Sequence, residues 1–357
     1  MSEAASPIGP DDVTGLPVLD LSLLDDPGTA GGFVDALRAA TRDWGFFYVV
    51  GHGIPEQLQT DLIAVARDFF ALPTYRKNAI HMVNSPHFRG YTGVGNEITR
   101  GAPDLREQLD IGAEQPAITG SEEAWTILVG PNQWPSDIPE FEPTVQAWRA
   151  ECERVARTLM GAWLTALGQD DHSLDAAFDP PSELIKVVRY PQVDPGGAEQ
   201  VTGADGATFQ GVGAHKDSGM LTLVFVEPGK AGLQVDKDGQ WLDATPLPGA
   251  FIVNIGELLE SLTNGYLKAT THRVVSPTDG DRISVPYFFN PGFGAHLQPW
   301  TLPEAYAAAA PGVTQDPLNP IHANQSENYL KSRLRSHPDV AARHHPDLIG
   351  RYDLDRG

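Results

Sequence analysis

From Leu184 the chain abandons helical spacing and breaks into short apolar runs at 184–190, 221–226, 233–235, 251–255, 272–275 and 282–289. Glu227-Pro228-Gly229, Asp238-Gly239 and Thr278-Asp279-Gly280 separate them with residues that favour turns. Runs this short are strands rather than long helices, and a succession of them predicts a sandwich or jelly roll. Upstream the period is different. Phe33, Leu37, Ala40 and Trp44 recur at helical spacing, as do Leu58, Leu62, Val65 and Phe69, and then Val145, Trp148, Cys152, Val155, Leu159 and Trp163. They predict helices over 31–44, 55–72 and 140–167, with a short strand at 46–50 and a later helix at 326–335. No linker or repeat interrupts the 357 residues. The expected organisation is therefore one domain, 1–357: a helical and mixed N-terminal wrapping to about 180, a β core over about 181–295, and a C-terminal helical extension over about 296–357.

Within the β part, His215-Lys216-Asp217 precedes the strand at 221–226, and His272 opens a later strand. On a strand, residues i and i+2 share a face, so His215 and Asp217 can address one atom while Lys216 points away towards solvent. A second imidazole from His272 completes two histidines and one carboxylate, the ligand set of facial-triad iron(II) sites, in which further positions on the metal stay open. A third cluster is Asp281-Arg282-Ile283-Ser284-Val285-Pro286-Tyr287-Phe288. Alternation puts Arg282, Ser284 and Phe288 on one face. An arginine turned inward is costly without an anion, and its planar fork suits a carboxylate, to which Ser284 adds a hydroxyl donor. The competing reading of Arg282 is a surface pair with Asp281.

These clusters, together with Arg189-Tyr190-Pro191, the segment Trp44-Gly45-Phe46-Phe47-Tyr48-Val49-Val50-Gly51-His52-Gly53-Ile54, and Phe88-Arg89-Gly90-Tyr91, span 16–345. In this order the chain resembles the iron(II)- and 2-oxoglutarate-dependent oxygenases of the isopenicillin N synthase-like type. The resemblance implies a mixed α and β fold with a distorted double-stranded β-helix (jelly roll) core flanked by N-terminal and C-terminal helices. It implies Fe(II) on His215, Asp217 and His272, and 2-oxoglutarate as cosubstrate, its far carboxylate on Arg282 and Ser284 with Tyr190 also in contact. O2 would then oxidise a small molecule, by hydroxylation or by desaturation or cyclisation, with release of succinate and CO2. Where relatives often carry an asparagine two residues before the tyrosine, this chain has Val188. Two alternatives stay open: an isopenicillin N synthase-like oxidase that uses no 2-oxoglutarate, and a non-catalytic β-helix binding protein.

Substrate determinants are less sharply written. The resemblance places Phe288 beside the substrate pocket and Phe88, Arg89 and Tyr91 near its mouth, with core packing as the competing reading for each. The polar stretch 193–213 is long for a strand connection and is expected to act as a lid or as a surface hairpin. His344-His345-Pro346 reads as a helix end and His52 as a turn residue, neither as a ligand.

The net charge of −22 opposes a nucleic-acid partner, which needs clustered Lys and Arg to neutralise phosphates. No apolar run is long enough to span a membrane. The N-terminal residues show no charged-then-apolar leader, and Cys152 is the sole cysteine, so a reducing cytoplasm is expected, in specialised metabolism. Nothing in the sequence calls for an obligate protein partner, and a monomer is the default.

Overall fold

The computed structural model describes residues 15–99, 101–194, 209–313, 320–322 and 324–352. In chain order the strands are β1 (Val18–Asp20), β2 (Phe46–Val50), β3 (Gly90–Thr92), β4 (Ile98–Thr99), β5 (Ala102–Pro103), β6 (Glu107–Gly112), β7 (Ser182–Tyr190), β8 (Gln210–His215), β9 (Leu221–Val226), β10 (Leu233–Lys237), β11 (Gln240–Asp243), β12 (Phe251–Ile255), β13 (His272–Val275) and β14 (Arg282–Asn290). The helices are α1 (Pro27–Asp43), α2 (Glu56–Ala71), α3 (Thr74–Ala79), α4 (Phe141–Ala166), α5 (Glu257–Leu262), α6 (Glu304–Ala309), α7 (Gln325–Ser336) and α8 (Pro338–His344).

The long helices fall where apolar spacing predicts them, with ends set by local chemistry. α1 begins earlier than the apolar stripe alone suggests, because the Asp26 carboxylate accepts from the Gly28 N–H and Pro27 occupies the first turn. α7 is capped by Asn324, which accepts from the Ser326 N–H.

An eight-stranded sheet runs β1-β2-β12-β9-β14-β7-β6-β3, and a four-stranded sheet runs β11-β10-β13-β8. Together they make the expected jelly roll. The larger sheet is not confined to 181–295, because β1, β2, β3 and β6 come from the N-terminal part. β14 shows how the layers divide. Its odd-numbered Ile283, Val285, Tyr287 and Phe289 enter the main apolar core with Leu62 and Phe69 of α2 and Trp148 and Val155 of α4. Full burial of each such side chain stabilises by about 1.5–3 kcal/mol. The even-numbered Arg282, Ser284 and Phe288 line the interior of the roll, as alternation predicts.

Strand register fixes a row of interior residues. Phe46 pairs with Asn254, Asn254 with Thr222, Thr222 with Phe288, Phe288 with Leu184, and Leu184 with Gly112. Directly paired residues share a face, so this row is one continuous strip across six strands of the sheet.

Candidate metal and cosubstrate site

The two imidazoles are brought together by pairing, since His272 on β13 sits opposite His215 on β8. Their ring centroids are 4.3 Å apart. His215 Nδ1 lies 2.8 Å from the Gly213 carbonyl and His272 Nδ1 lies 3.2 Å from the Thr270 carbonyl. Each Nδ1–H thus donates to backbone, which fixes the tautomer that leaves Nε2 as a lone-pair donor. Phe46 packs edge-on against His272 at 5.1 Å.

Asp217 is not on the strand, contrary to the parity expectation: β8 ends at His215 and the carboxylate hangs from the turn that follows. That turn is locked from below. The Glu257 N–H donates to the Asp217 carbonyl at 2.7 Å, and a Cβ on Gly256 would stand 2.1 Å from the Gly219 carbonyl oxygen. Only glycine permits that approach. Thr222 and Asn254, both in the interior row, donate to Asp217 Oδ2 at 2.6 Å and 2.8 Å. Oδ1 is left facing the imidazoles, 3.6 Å from His215 Nε2 and 3.9 Å from His272 Nε2.

The electrostatics favour a cation. Burial alone would raise the Asp217 carboxyl, but the facing His215 and His272 imidazoles and the Thr222 hydroxyl outweigh it and hold it below the usual carboxylate range. Burial first, and then repulsion from His215, push His272 down to about 4. It is therefore neutral at pH 7 and free to ligate. One donor atom from each residue lies within 4.8 Å of the other two. Two imidazole nitrogens, one carboxylate oxygen and oriented Nδ1 groups fit a divalent iron site with open positions.

Below its usual value, the His272 pKa makes the metal-free fold acid-sensitive. Between pH 6.5 and about 4 the unfolded chain takes up a proton that the folded chain does not, so stability present at neutral pH is lost as the pH falls. The expected loss is on the order of 3 kcal/mol across that window. Denaturant midpoints at pH 6.5 and 4.5 should fall more for the wild type than for His272→Gln, and equal falls would contradict it.

Along the roll from the triad, Arg282 is paired with Tyr190 and stacks over its ring, 4.9 Å from the guanidinium carbon to the centroid. It is buried, yet its polar contacts are the Lys230 carbonyl and the Ser284 hydroxyl, both at 3.4 Å. Among the described residues no carboxylate reaches it. Asp281, the surface partner considered from the sequence, instead binds Arg189 at 2.6 Å. Burial lowers the Arg282 pKa, with the Tyr190 hydroxyl and Glu227 working against it. A buried cation with no acid beside it, flanked by a serine hydroxyl, has the chemistry to receive a carboxylate.

The other expected residues divide. Phe288 pairs with Thr222, the anchor of Asp217, and is part-exposed, so it lies beside the triad. Phe88 does not reach it: it is fully buried with Met82, Leu128, Leu330 and Val340 and stacks on His345. Tyr91 is likewise turned to the outer core, where its hydroxyl donates to Glu107 at 2.6 Å. Tyr91 belongs to packing because β3 presents its odd face outwards, whereas Phe88 precedes β3 in a left-handed backbone conformation, φ 56°, and packs in the separate cluster. Arg89 is buried on the interior side, over Gly112. Lys216 is not fully solvated, since its ammonium stands 3.4 Å from Glu260. His344 and His345 bond the Val83 and Pro86 carbonyls, and His52 bonds the Gly249 carbonyl, all backbone duties. Of the stretch read as a lid, 195–208 lies outside the described residues, and its end from Gln210 is strand β8. Thr222 and Asn254 were missed from sequence, although a lone polar residue inside an apolar strand was the available signal.

Comparison with known proteins agrees with this geometry. Residues 182–291 match the model described as 2OG-Fe(II) oxygenase superfamily, and 16–137 match the N-terminal model of non-haem dioxygenase in morphine synthesis. The chain is 33% identical to the 2-oxoglutarate-dependent dioxygenase frbJ of Dothideomycetidae sp. (strain 11243), over 94% of this chain and 93% of that one. It is 34% identical to a homoarginine-6-hydroxylase of Arabidopsis thaliana, over 81% of this chain and 88% of the relative. A solved structure of a full-length Neurospora crassa protein with alpha-KG and thymine matches with a TM-score of 0.68 at 26% identity, covering 84% and 93% of the two chains. JOX2 solved with 2OG, Fe and JA matches with a TM-score of 0.66 at 26% identity, covering 96% and 95%. These findings favour the 2-oxoglutarate-using enzyme over the oxidase without it and over a non-catalytic binding protein. The chain belongs to the 2OG-Fe(II) oxygenase superfamily and is an iron(II)- and 2-oxoglutarate-dependent dioxygenase that acts on a small molecule.

Proposed function

We propose that this dioxygenase hydroxylates a small amino-acid-like molecule, with L-homoarginine the first candidate, and that it does so in the cytoplasm as part of specialised metabolism. The observation that carries the site assignment is the buried Arg282, without an acid partner among the described residues, on the same interior face as the triad's supports. The candidate substrate is suggested by the homoarginine-6-hydroxylases of Arabidopsis thaliana, Glycine max and Oryza sativa, each 33% or 34% identical over at least 80% of this chain. The charge of −22 supports a small molecule over a nucleic acid as substrate.

In this reading His215 Nε2, Asp217 Oδ1 and His272 Nε2 hold iron(II), and Arg282 and Ser284 take the far carboxylate of 2-oxoglutarate. When bound, iron(II), 2-oxoglutarate and O2 supply the oxidising equivalent, one oxygen atom going to the substrate and one to succinate as CO2 leaves. The protein's own work is placement. Thr222 and Asn254 keep the Asp217 carboxylate ionised and aimed, the Gly213 and Thr270 carbonyls hold the imidazole planes, and Tyr190 stacks the Arg282 fork flat against the cosubstrate channel. Phe46 and Phe288 border the triad with apolar surface that limits water.

Succinate formed by the iron-loaded protein should require 2-oxoglutarate and should rise on addition of L-homoarginine together with a product heavier by one oxygen atom. Consumption of 2-oxoglutarate with no response to L-homoarginine would remove that substrate while leaving the reaction class.

A further inference from the structure

We propose that Glu257 receives a cationic group of the primary substrate, so that the molecules oxidised here are small amines or guanidines attacked close to that group; this rests on the dioxygenase reading above. Buried carboxylates in this fold are otherwise paired. Glu97 meets Arg106 at 2.8 Å and Lys186 at 2.9 Å, Asp104 meets Arg106 at 3.2 Å, and Glu107 meets Lys77 at 2.7 Å. Asp110 is held by Arg333 at 2.6 Å and Glu183 by Arg149 at 2.8 Å. Glu260 accepts from the Ala269 N–H at 3.0 Å and faces Lys216 at 3.4 Å. Among the described residues, Glu257 is the buried acid whose side chain no donor reaches.

Glu257 is 7% exposed, and neither of its carboxylate oxygens is among the sealed side-chain atoms that lack a partner, so the group opens on accessible space. A carboxylate held in such a place without a counter-charge is costly, and a cation brought by a ligand offsets that cost. The charged groups around it are Lys216, Glu260, Lys331 and Asp217. Neither lysine comes within ion-pair distance of it. Lys216 is engaged by Glu260, the Lys331 ammonium donates to the Pro320 carbonyl, and Asp217 belongs to the metal site.

Its position connects it with the chemistry. Glu257 opens α5, and its N–H donates to the carbonyl of the metal ligand Asp217 at 2.7 Å. A Cβ on the preceding Gly256 would stand 2.8 Å from that same carbonyl oxygen, so the helix starts in contact with the turn that carries the carboxylate. Glu260 lies three residues on, hence on the same helical face, and reaches the Ala269 N–H just before His272. The acidic face of α5 therefore runs along both segments that bear Asp217 and His272. A cation seated on Glu257 is close to the triad, and the carbon offered to the metal is one near that cation. A guanidinium pairs with a carboxylate through two parallel hydrogen bonds. L-homoarginine, the candidate above, carries such a group at the end of its side chain. As the first residue of a helix, Glu257 also complements the helix dipole, a purely structural duty that the test must separate.

The test measures binding by calorimetry to iron(II)- and 2-oxoglutarate-loaded protein without oxygen, each cation beside a neutral counterpart of similar shape: L-homoarginine with L-homocitrulline, L-arginine with L-citrulline, and L-lysine with its side-chain acetamide. The wild type should bind a cation roughly tenfold or more tightly than its neutral counterpart. Glu257→Gln, which keeps the backbone N–H on Asp217, should abolish that preference by weakening the cation and leaving the neutral compound unchanged, and Glu257→Asp should keep part of it. Equal binding of cation and counterpart by the wild type, a preference unchanged in Glu257→Gln, or no cation bound at all would each overturn the proposal, the first and last without any variant. A structural duty alone would lower the melting temperature of every ligand state and leave the preference intact, which also overturns it. A preference dependent on Glu257 for a cation other than L-homoarginine would support the proposal and remove that candidate. The 2-oxoglutarate charge-transfer band reports the underlying reading separately: its absence in a wild type that keeps the preference would sink the cosubstrate assignment and not Glu257.

Discussion

Asp217→Ala is expected to abolish iron(II) binding and all 2-oxoglutarate turnover while leaving the fold intact. The carboxylate is the anionic member of the donor set, so its removal leaves two neutral imidazoles to hold a dication. The affinity for iron should fall by at least a hundredfold, in line with what ligand and supporting contacts contribute in metal sites. The substitution also strands the Thr222 hydroxyl and the Asn254 amide, which now donate to Asp217 Oδ2. That loss is partly offset, because a buried carboxylate and its desolvation cost go with it. The metal-free variant should therefore melt close to the wild type, whereas the stabilisation conferred by iron on the wild type disappears. Anaerobic iron titration combined with thermal melting separates these effects. Stoichiometric iron in the variant, or turnover within tenfold of the wild type, would show that the ion is held elsewhere.

The sequence made the metal donors legible because their geometry is local. His272 opens a strand of four residues and His215 ends one, and alternation told which way each points. The reading put Asp217 on the right side for a partly wrong reason. A strand and the turn found here both bring residue 217 back to the side of residue 215, but the turn depends on the close approach of Gly219 and Gly256, which is a contact between distant segments. β3 and β6 were illegible for a different reason. The stretch 106–110, Arg-Glu-Gln-Leu-Asp, looks like an exposed polar segment, yet it lies buried in the sheet because Lys77, Arg189 and Arg333 neutralise Glu107 and Asp110. Charge pairing across 30 to 223 residues of chain leaves no periodic trace. The same applies to Phe88 and Tyr91: the motif drew attention to the segment, but the direction of Tyr91 was decided by the register of β3 on β6 and that of Phe88 by a left-handed backbone turn before the strand.

Arg282→Leu should raise the 2-oxoglutarate concentration for half-saturation by about two orders of magnitude and leave iron binding unchanged. The guanidinium contacts Tyr190, Lys230 and Ser284, and it touches neither the imidazoles nor Asp217. What it offers is a charge-assisted pair with the cosubstrate in a buried setting, and truncating one partner of such a pair costs on the order of 2 to 5 kcal/mol. The effect on the protein without ligand should have the opposite sign. Arg282 is 1% exposed with only carbonyl and hydroxyl contacts at 3.4 Å, so replacing it by a shorter apolar side chain removes an uncompensated buried charge, which offsets the packing lost with the longer stem. Melting in the absence of 2-oxoglutarate should be unchanged or higher, and the upward shift produced by 2-oxoglutarate should be lost. Arg282→Lys, which keeps the charge but not the planar fork stacked on Tyr190, should fall between the two. A variant that binds 2-oxoglutarate as the wild type does would place the cosubstrate carboxylate elsewhere. A variant that melts well below wild type without ligand would instead mean that the guanidinium supports the fold rather than serving the cosubstrate.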